Sequence, residues 1–357
     1  MNTNMAELRQ NMVTKEWVII APERAMRPDQ FRIPAKVLTH QLPVFINDCP
    51  FCPGNEAETP PDLIRCPEQG PWKSRLFPNK FPALSRDGER LYSHDGAARK
   101  LSGVGFHEVL IETPRHNSTP GLQSPQTILR TLKIFIQRGM QIADDPRIEQ
   151  VFYFKNHGLA AGTSIIHPHG QLLALPMVPF NARMRIDEQR RTYDEMGVCP
   201  VCAMLDSELN AGRRIVCANE SFVAVVPYAA LSPFHMWIVP RRHGPSFLDI
   251  QQHELELLAA IMREVFGRLY HGLSDPDYNY IVRNAPQRDS SSAYLHWYVS
   301  IVPRVTRTAG FELGSGMSIN PTLPEDNAEF LRSQDPGQTM DDDFEGARCA
   351  AIAGDGV

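Results

Sequence analysis

A chain of 357 residues with 42% apolar side chains has the material for one large or two ordinary domains with a buried core. Its formal net charge of -5 argues against a general nucleic-acid binder, which needs a broad basic face. No apolar run is long enough to span a membrane and no signal-like segment opens the sequence, so a cytosolic enzyme is the expectation. In chain order, strand-like runs bounded by turn residues fall at 17–20, 106–111, 151–154, 171–175, 222–227, 236–239, 278–282 and 297–302. Two amphipathic helices interrupt them, around 127–143 and from about 253 to 273. The second carries Leu255, Leu258, Met262, Val265 and Leu269 at helical spacing, which reads as a core stripe. The pattern is that of an α+β protein made of two antiparallel units. The charge-rich residues 185–198 are expected to connect the units, and the tail from about Ser333, with Asp341-Asp342-Asp343 and scattered glycine, to be disordered.

Four of the seven cysteines form two Cys-Pro-x-Cys pairs, Cys49/Cys52 and Cys199/Cys202. In a reducing compartment such knuckles bind zinc far more often than they form disulfides. A thioredoxin-like redox role is the rival, disfavoured because neither pair opens a recognisable βαβ helix. The densest chemistry lies at His167-Pro168-His169-Gly170-Gln171, behind a loop with Asn156, Gly162 and Ser164. In an extended segment, residues two apart share a face, so His167 and His169 can aim their imidazoles into one cleft. A neutral imidazole is a competent nucleophile toward phosphorus, and the Gln171 amide can donate to phosphoryl oxygens. Two structural histidines are the alternative, outweighed by the His-x-His-x-Gln arrangement.

The stretch Phe154-Lys155-Asn156-His157-Gly158 through Gln171 resembles the active-site signature of the galactose-1-phosphate uridylyltransferase family, a branch of the histidine-triad superfamily. Arg9-Gln10-Asn11, Thr14, Trp17 to Pro22, Arg24 and Arg27-Pro28 resemble its amino-terminal signature. Arg75-Leu76-Phe77-Pro78-Asn79-Lys80-Phe81-Pro82-Ala83-Leu84 resembles its nucleotide-contacting loop, and Gly105-Phe106-His107-Glu108-Val109 to His116 the strand that follows. The resemblance covers roughly residues 7–332. It implies two tandem histidine-triad-like units, each an antiparallel sheet with packed helices: a catalytic unit over 1–184, a second lacking the nucleophile over 185–332, and the tail over 333–357.

By the same resemblance, His169 is the nucleophile of a double displacement in galactose metabolism, taking a nucleotidyl group from a nucleotide sugar and passing it to a sugar 1-phosphate. Gln171 and Ser164 are expected to hold the α-phosphoryl oxygens, Arg24, Arg27 and Asn79 the nucleotide, and Asn156 and Gly162 to shape the pocket. A homodimer is implied. The His-Pro-His-Gly-Gln spelling favours uridylyl transfer to a hexose 1-phosphate. Lys155, where many uridylyltransferases carry an acid, and the run from Gly310 to Pro321 resemble instead the ADP-glucose phosphorylase branch. That run lacks the side chains that grip a hexose phosphate, so Lys155 and the backbone amides of Gly314 to Gly316 are expected to supply donors. Phosphorolysis of a nucleoside-diphosphate sugar is the second reading, and a non-catalytic nucleotide-binding module a third.

The two halves also repeat each other. Cys49 and Cys52 are followed by His116 and His167; Cys199 and Cys202 by His243 and His296, with intervals of 51 and 53 residues between the histidines. Each set suits a closed tetrahedral zinc site, giving two zinc ions per chain. The first matches the family's zinc site, and the second resembles one found in the phosphorylase relatives. Where the first half continues His167-Pro168-His169, the second reads His296-Trp297-Tyr298, so only the first half is expected to be catalytic.

Overall fold

The computed structural model describes residues 5–24, 31, 36–340 and 350–351. Strands β1 (Glu7–Gln10) and β2 (Trp17–Ile20) come first, then β3 (Ile64–Cys66), β4 (Ser74–Pro78), the hairpin β5 (Tyr92–Asp95) and β6 (Ala98–Leu101), and β7 (Phe106–Ile111). Helix α1 (Pro125–Ala143) leads into β8 (Gln150–His157) and β9 (His169–Leu175). The second half runs α2 (Phe180–Met196), α3 (Pro200–Ala211), β10 (Ile215–Ala218), β11 (Phe222–Val225), β12 (Met236–Pro240), α4 (Gln252–Leu273), β13 (Tyr278–Arg283) and β14 (Tyr298–Pro303). It closes with α5 (Gly310–Ser315), β15 (Ser318–Asn320), α6 (Pro324–Ser333) and the two-residue β16 (Ala350–Ala351). Both expected helices and all eight expected strands form.

The main sheet has the order β10-β11-β12-β14-β13-β8-β9-β7-β4-β3-β16, and every neighbouring pair is antiparallel. From the seam between β13 and β8 the halves unroll alike, β13-β14-β12-β11-β10 on one side and β8-β9-β7-β4-β3 on the other. The two tandem units thus share one continuous sheet, joined where Tyr278 to Val282 pair with His157 to Tyr153.

Helices α1 and α4 cover one face. Ser124 caps α1 by accepting from the Thr127 N–H, and Pro125 fills the first helical position, where its missing donor costs nothing. The stripe Leu255, Leu258, Met262, Val265, Leu269 of α4 is buried in a core that takes residues from both halves. The opposite face carries two smaller clusters, one per half. Cys49, Phe51, Cys52 and Trp72 pack on Phe77, Val109 and Ile111 in the first; Cys199, Val201, Met204 and Leu205 pack on Val223, Val225, Trp237 and Val239 in the second.

Three features differ from expectation. Residues 185–198 belong almost entirely to a helix, α2, so the boundary between 184 and 185 falls inside it. The amino-terminal strands sit with the second half: β2 pairs in parallel with β15, and Arg9 reaches Glu325 at 3.0 Å. Residues 334–340, expected to begin a disordered tail, lie along α4, where Arg263 donates to the carbonyls of Pro336 and Gly337 and the Met340 N–H bonds the Leu122 carbonyl. The Asp341-Asp342-Asp343 run lies outside the described residues. Among those described, no helix is long and apolar enough to cross a membrane.

Candidate active site

The first cysteine knuckle brings its partners together as the repeat requires. Cys49, Cys52, His116 and His167 are all buried, with their ligating atoms within 4.8 Å of one another. Cys52 Sγ lies 3.6 Å from His116 Nδ1 and 3.5 Å from His167 Nδ1. A tetrahedron with Zn–S of about 2.3 Å and Zn–N of about 2.0–2.1 Å has S···N edges of roughly 3.5 Å, so these contacts fit a zinc-sized centre. Burial holds both imidazoles below their ordinary range, His167 at about 3, which keeps them in the neutral form that binds metal. His167 Nε2 donates to the Thr113 carbonyl at 2.8 Å, which turns Nδ1 toward the sulfurs.

The second set, Cys199, Cys202, His243 and His296, repeats this geometry. Cys202 Sγ is 3.4 Å from His243 Nδ1 and 3.3 Å from His296 Nδ1. The histidine rings meet at 5.3 Å and 78°, against 5.4 Å and 79° in the first set. The sets differ in their support. His243 is exposed, and His296 Nε2 is buried with no partner among the described residues.

His169 opens β9 beside the first set. Its Nδ1 donates to the His167 carbonyl at 2.8 Å, so in the neutral ring Nε2 carries the lone pair. Burial, with the Lys155 charge adding to it, lowers its pKa to about 4, so the ring is neutral near pH 7. The edge of Phe51 packs against it at 5.3 Å between ring centres. His169, Gln171, Ser164 and Asn79 line a single cavity of about 640 Å³, walled by Phe51, Phe77, Phe81, Val109 and Ile165. An aromatic-walled cavity of this size with a few convergent polar groups suits a small organic ligand.

None of Asn156, Gly162 and Arg24 is among the residues that line this cavity. Asn156 is tied to the loop that carries Ser164: its Oδ1 accepts from Asn279 Nδ2 at 2.8 Å, and the same Asn279 amide donates to the Ala161 carbonyl at 2.9 Å. The Ala160 N–H is held by Asp277 Oδ2 at 2.7 Å, and Gly158 has to be glycine because a Cβ there would lie 2.0 Å from Asp277 Oδ1. Gly162, at φ +87°, turns the chain toward Ser164. Arg24 lies in the short turn Pro22–Arg24, and Arg27 is outside the described residues.

Lys155 departs from expectation. Strand alternation sends it, with Tyr153, to the helix-covered face, while Asn156 takes the other. There it is 1% exposed, bonded to Glu112 at 2.8 Å and to the His169 carbonyl at 3.2 Å, and it does not line the cavity. His107, by contrast, has no role that its sequence context suggests, yet its Nε2 lies 2.9 Å from Gln171 Oε1. Only the register of β7 against β9 could have revealed it.

The second half has no imidazole at the position of His169. Tyr298 stands at the His169 position and Ser300 at that of Gln171, and Trp237, replacing Val109, stacks on Tyr298 at 4.3 Å. Val13 from the amino-terminal segment is buried in the same apolar cluster as both.

Comparison with known proteins gives two family matches that divide the chain between them. Residues 1–179 match the family model for the galactose-1-phosphate uridyl transferase N-terminal domain, and residues 182–334 that for its C-terminal domain. An ADP-glucose phosphorylase of Arabidopsis thaliana is 36% identical over 91% of this chain and 92% of its own length. A galactose-1-phosphate uridylyltransferase of Thermotoga maritima is 30% identical over 92% of this chain and 98% of its own. Among solved structures, the Arabidopsis thaliana ADP-glucose phosphorylase with bound ADP-glucose superposes with a TM-score of 0.79 at 33% identity, covering 93% of this chain and all of that one.

Proposed function

The chain belongs to the galactose-1-phosphate uridyl transferase family, and from that premise we propose that it transfers a nucleotidyl group from a nucleotide sugar through a covalent bond to His169. The observation that carries the reading is the His169 ring itself, with Nδ1 tied to the His167 carbonyl and neutral Nε2 without a partner among the described residues, at a cavity that also holds Gln171 and Ser164. Nε2 attacks the α-phosphorus, a phosphorus–nitrogen bond forms, and the bond to the sugar 1-phosphate oxygen breaks. The phosphate oxygen of an acceptor then attacks, and the phosphorus–nitrogen bond breaks in turn. As the ring gains positive charge its Nδ1–H bond to the carbonyl strengthens. Gln171 and Ser164 donate to the α-phosphoryl oxygens, and Arg24, Arg27 and Asn79 hold the nucleotide.

Cys49, Cys52, His116 and His167 would hold one zinc and Cys199, Cys202, His243 and His296 a second. Bound there, the metal supplies a structural cross-link. The chain divides by role into a catalytic part up to about residue 184 and a silent one over 185–332. It acts as a cytoplasmic homodimer on small phosphorylated metabolites, with no nucleic-acid or membrane partner; sedimentation as a monomer would count against that assembly.

The acceptor is a hexose 1-phosphate and the nucleotide a uridylyl group, a reading supported by the His-Pro-His-Gly-Gln motif and the 30% identity to the Thermotoga maritima uridylyltransferase. Phosphorolysis of ADP-glucose is the second reading, favoured by the 36% identity to the Arabidopsis thaliana phosphorylase and by the likeness to its structure. Intact-protein mass after incubation with UDP-glucose or ADP-glucose should show a nucleotidyl adduct that His169→Asn abolishes without loss of fold or zinc. An adduct persisting in that variant would move the nucleophile elsewhere. Galactose 1-phosphate or glucose 1-phosphate is expected to discharge the uridylyl enzyme faster than phosphate does. Faster discharge of an adenylylated enzyme by phosphate would establish the second reading in its place.

A further inference from the structure

Gln171 can serve this reaction only if its amide presents nitrogen to the phosphoryl oxygens, since an outward oxygen would repel them. A half-turn about the last side-chain torsion exchanges the two atoms, so something has to choose. The backbone N–H of Ala83 lies 3.1 Å from His107 Nδ1. A backbone amide nitrogen can only donate, so Nδ1 is the acceptor and the proton of the neutral ring sits on Nε2. That N–H faces Gln171 Oε1 at 2.9 Å. With its oxygen engaged, the Gln171 amide turns its NH₂ to the cavity, where it meets no protein acceptor among the described residues. Asn79 follows the same logic. Its Oδ1 accepts the Phe81 N–H at 2.9 Å, and its Nδ2, 3.2 Å from His107 Nε2, faces a nitrogen that is itself a donor. Both amides therefore hold hydrogens in reserve for a ligand oxygen.

We propose that His107 is a positioning residue for nucleotidyl transfer, reading out the Ala83 amide through its tautomer and thereby locking Gln171 as a hydrogen-bond donor to the α-phosphoryl group. This rests on the reading of His169 as the nucleophile. Two variants separate the contacts of the ring. His107→Asn keeps an acceptor near the Nδ1 position for Ala83 but is too short to reach Gln171; His107→Gln places an amide N–H near the Nε2 position and gives up the Ala83 contact. Single-turnover formation of the His169 adduct at saturating nucleotide sugar is the measurement, with zinc content and melting temperature as controls for folding.

His107→Asn should slow adduct formation by roughly tenfold with little change in apparent substrate affinity, short of the 10²–10³ typical for deleting a preorganised donor outright. His107→Gln should recover most of the loss. Combining His107→Asn with Gln171→Ala should be no slower than Gln171→Ala alone, because the first acts through the second. An adduct formed as fast by His107→Asn as by the unmodified enzyme, a slower His107→Gln than His107→Asn, or losses that multiply in the double variant would each overturn the assignment. If the unmodified protein forms no adduct at His169 with either nucleotide sugar, the reading beneath it fails, which is a separate and recognisable result.

Discussion

Lys155 carries its charge into the protein interior, where Glu112 meets it and Gln123 Nε2 donates to the other Glu112 oxygen at 3.0 Å. Removing one member of a buried ion pair typically costs about 3–5 kcal/mol, because the charge left behind has lost both water and partner. Lys155→Met should therefore lower stability by about that amount, read as a shift in the urea midpoint, and the double variant Lys155→Met/Glu112→Gln should regain much of it. A Lys155→Met protein of unchanged stability would contradict this placement. The sequence supplied the means to see it: if Asn156 takes the face opposite the helices, alternation puts Lys155 with Tyr153 beneath them. The need for a donor to replace the missing hexose-phosphate side chains pulled the other way. His107 had no such signal, since its meaning depends on Ala83 and Gln171, which lie 24 and 64 residues away in the chain.

The two knuckles are elements of the same design with unequal support. His167 is oriented by the Thr113 carbonyl, whereas the matching nitrogen of His296 has no partner among the described residues and His243 is exposed. Outer-shell partners typically contribute about 10–100-fold to metal affinity. The second-half zinc should accordingly leave first in a chelator titration followed by metal analysis, and His296→Ala should retain one zinc, lose stability and still form the nucleotidyl adduct. Simultaneous loss of both ions would show that the sites are not independent. At this scale the sequence was readable where apolar periodicity was strong, as in α1, α4 and the central strands. It was silent at α2, where only Ile186, Gln189 and Thr192 are buried and the charged surface gives no stripe. The β5–β6 hairpin is largely exposed and gave no burial pattern to detect.

The molecule as a whole buries neutral imidazoles, and acid is expected to find them. His235 is held at about 3 by burial, with the Arg283 and Arg185 charges adding to it. In the unfolded chain it would titrate at its ordinary value of about 6.5. Between those values the unfolded state binds a proton that the native state refuses, so stability is full above about pH 6.5 and declines as pH falls toward 3. At about pH 5 the loss from this one group is about 2 kcal/mol. The melting temperature should drop on going from neutral pH to about pH 5, and His235→Gln should drop less; equal drops would remove His235 from the cause.

The seam between β13 and β8 has a consequence for how the duplicated copies relate. Asn279, Asp277 and Asp275 belong to the second copy, yet they fasten Asn156, Ala160, Ala161 and His157 in the copy that carries Ser164. The second copy is therefore the jig in which the loop carrying Ser164 in its sibling is set. A chain split at the midpoint would separate that loop from its holder even if each piece kept its cysteine and histidine set.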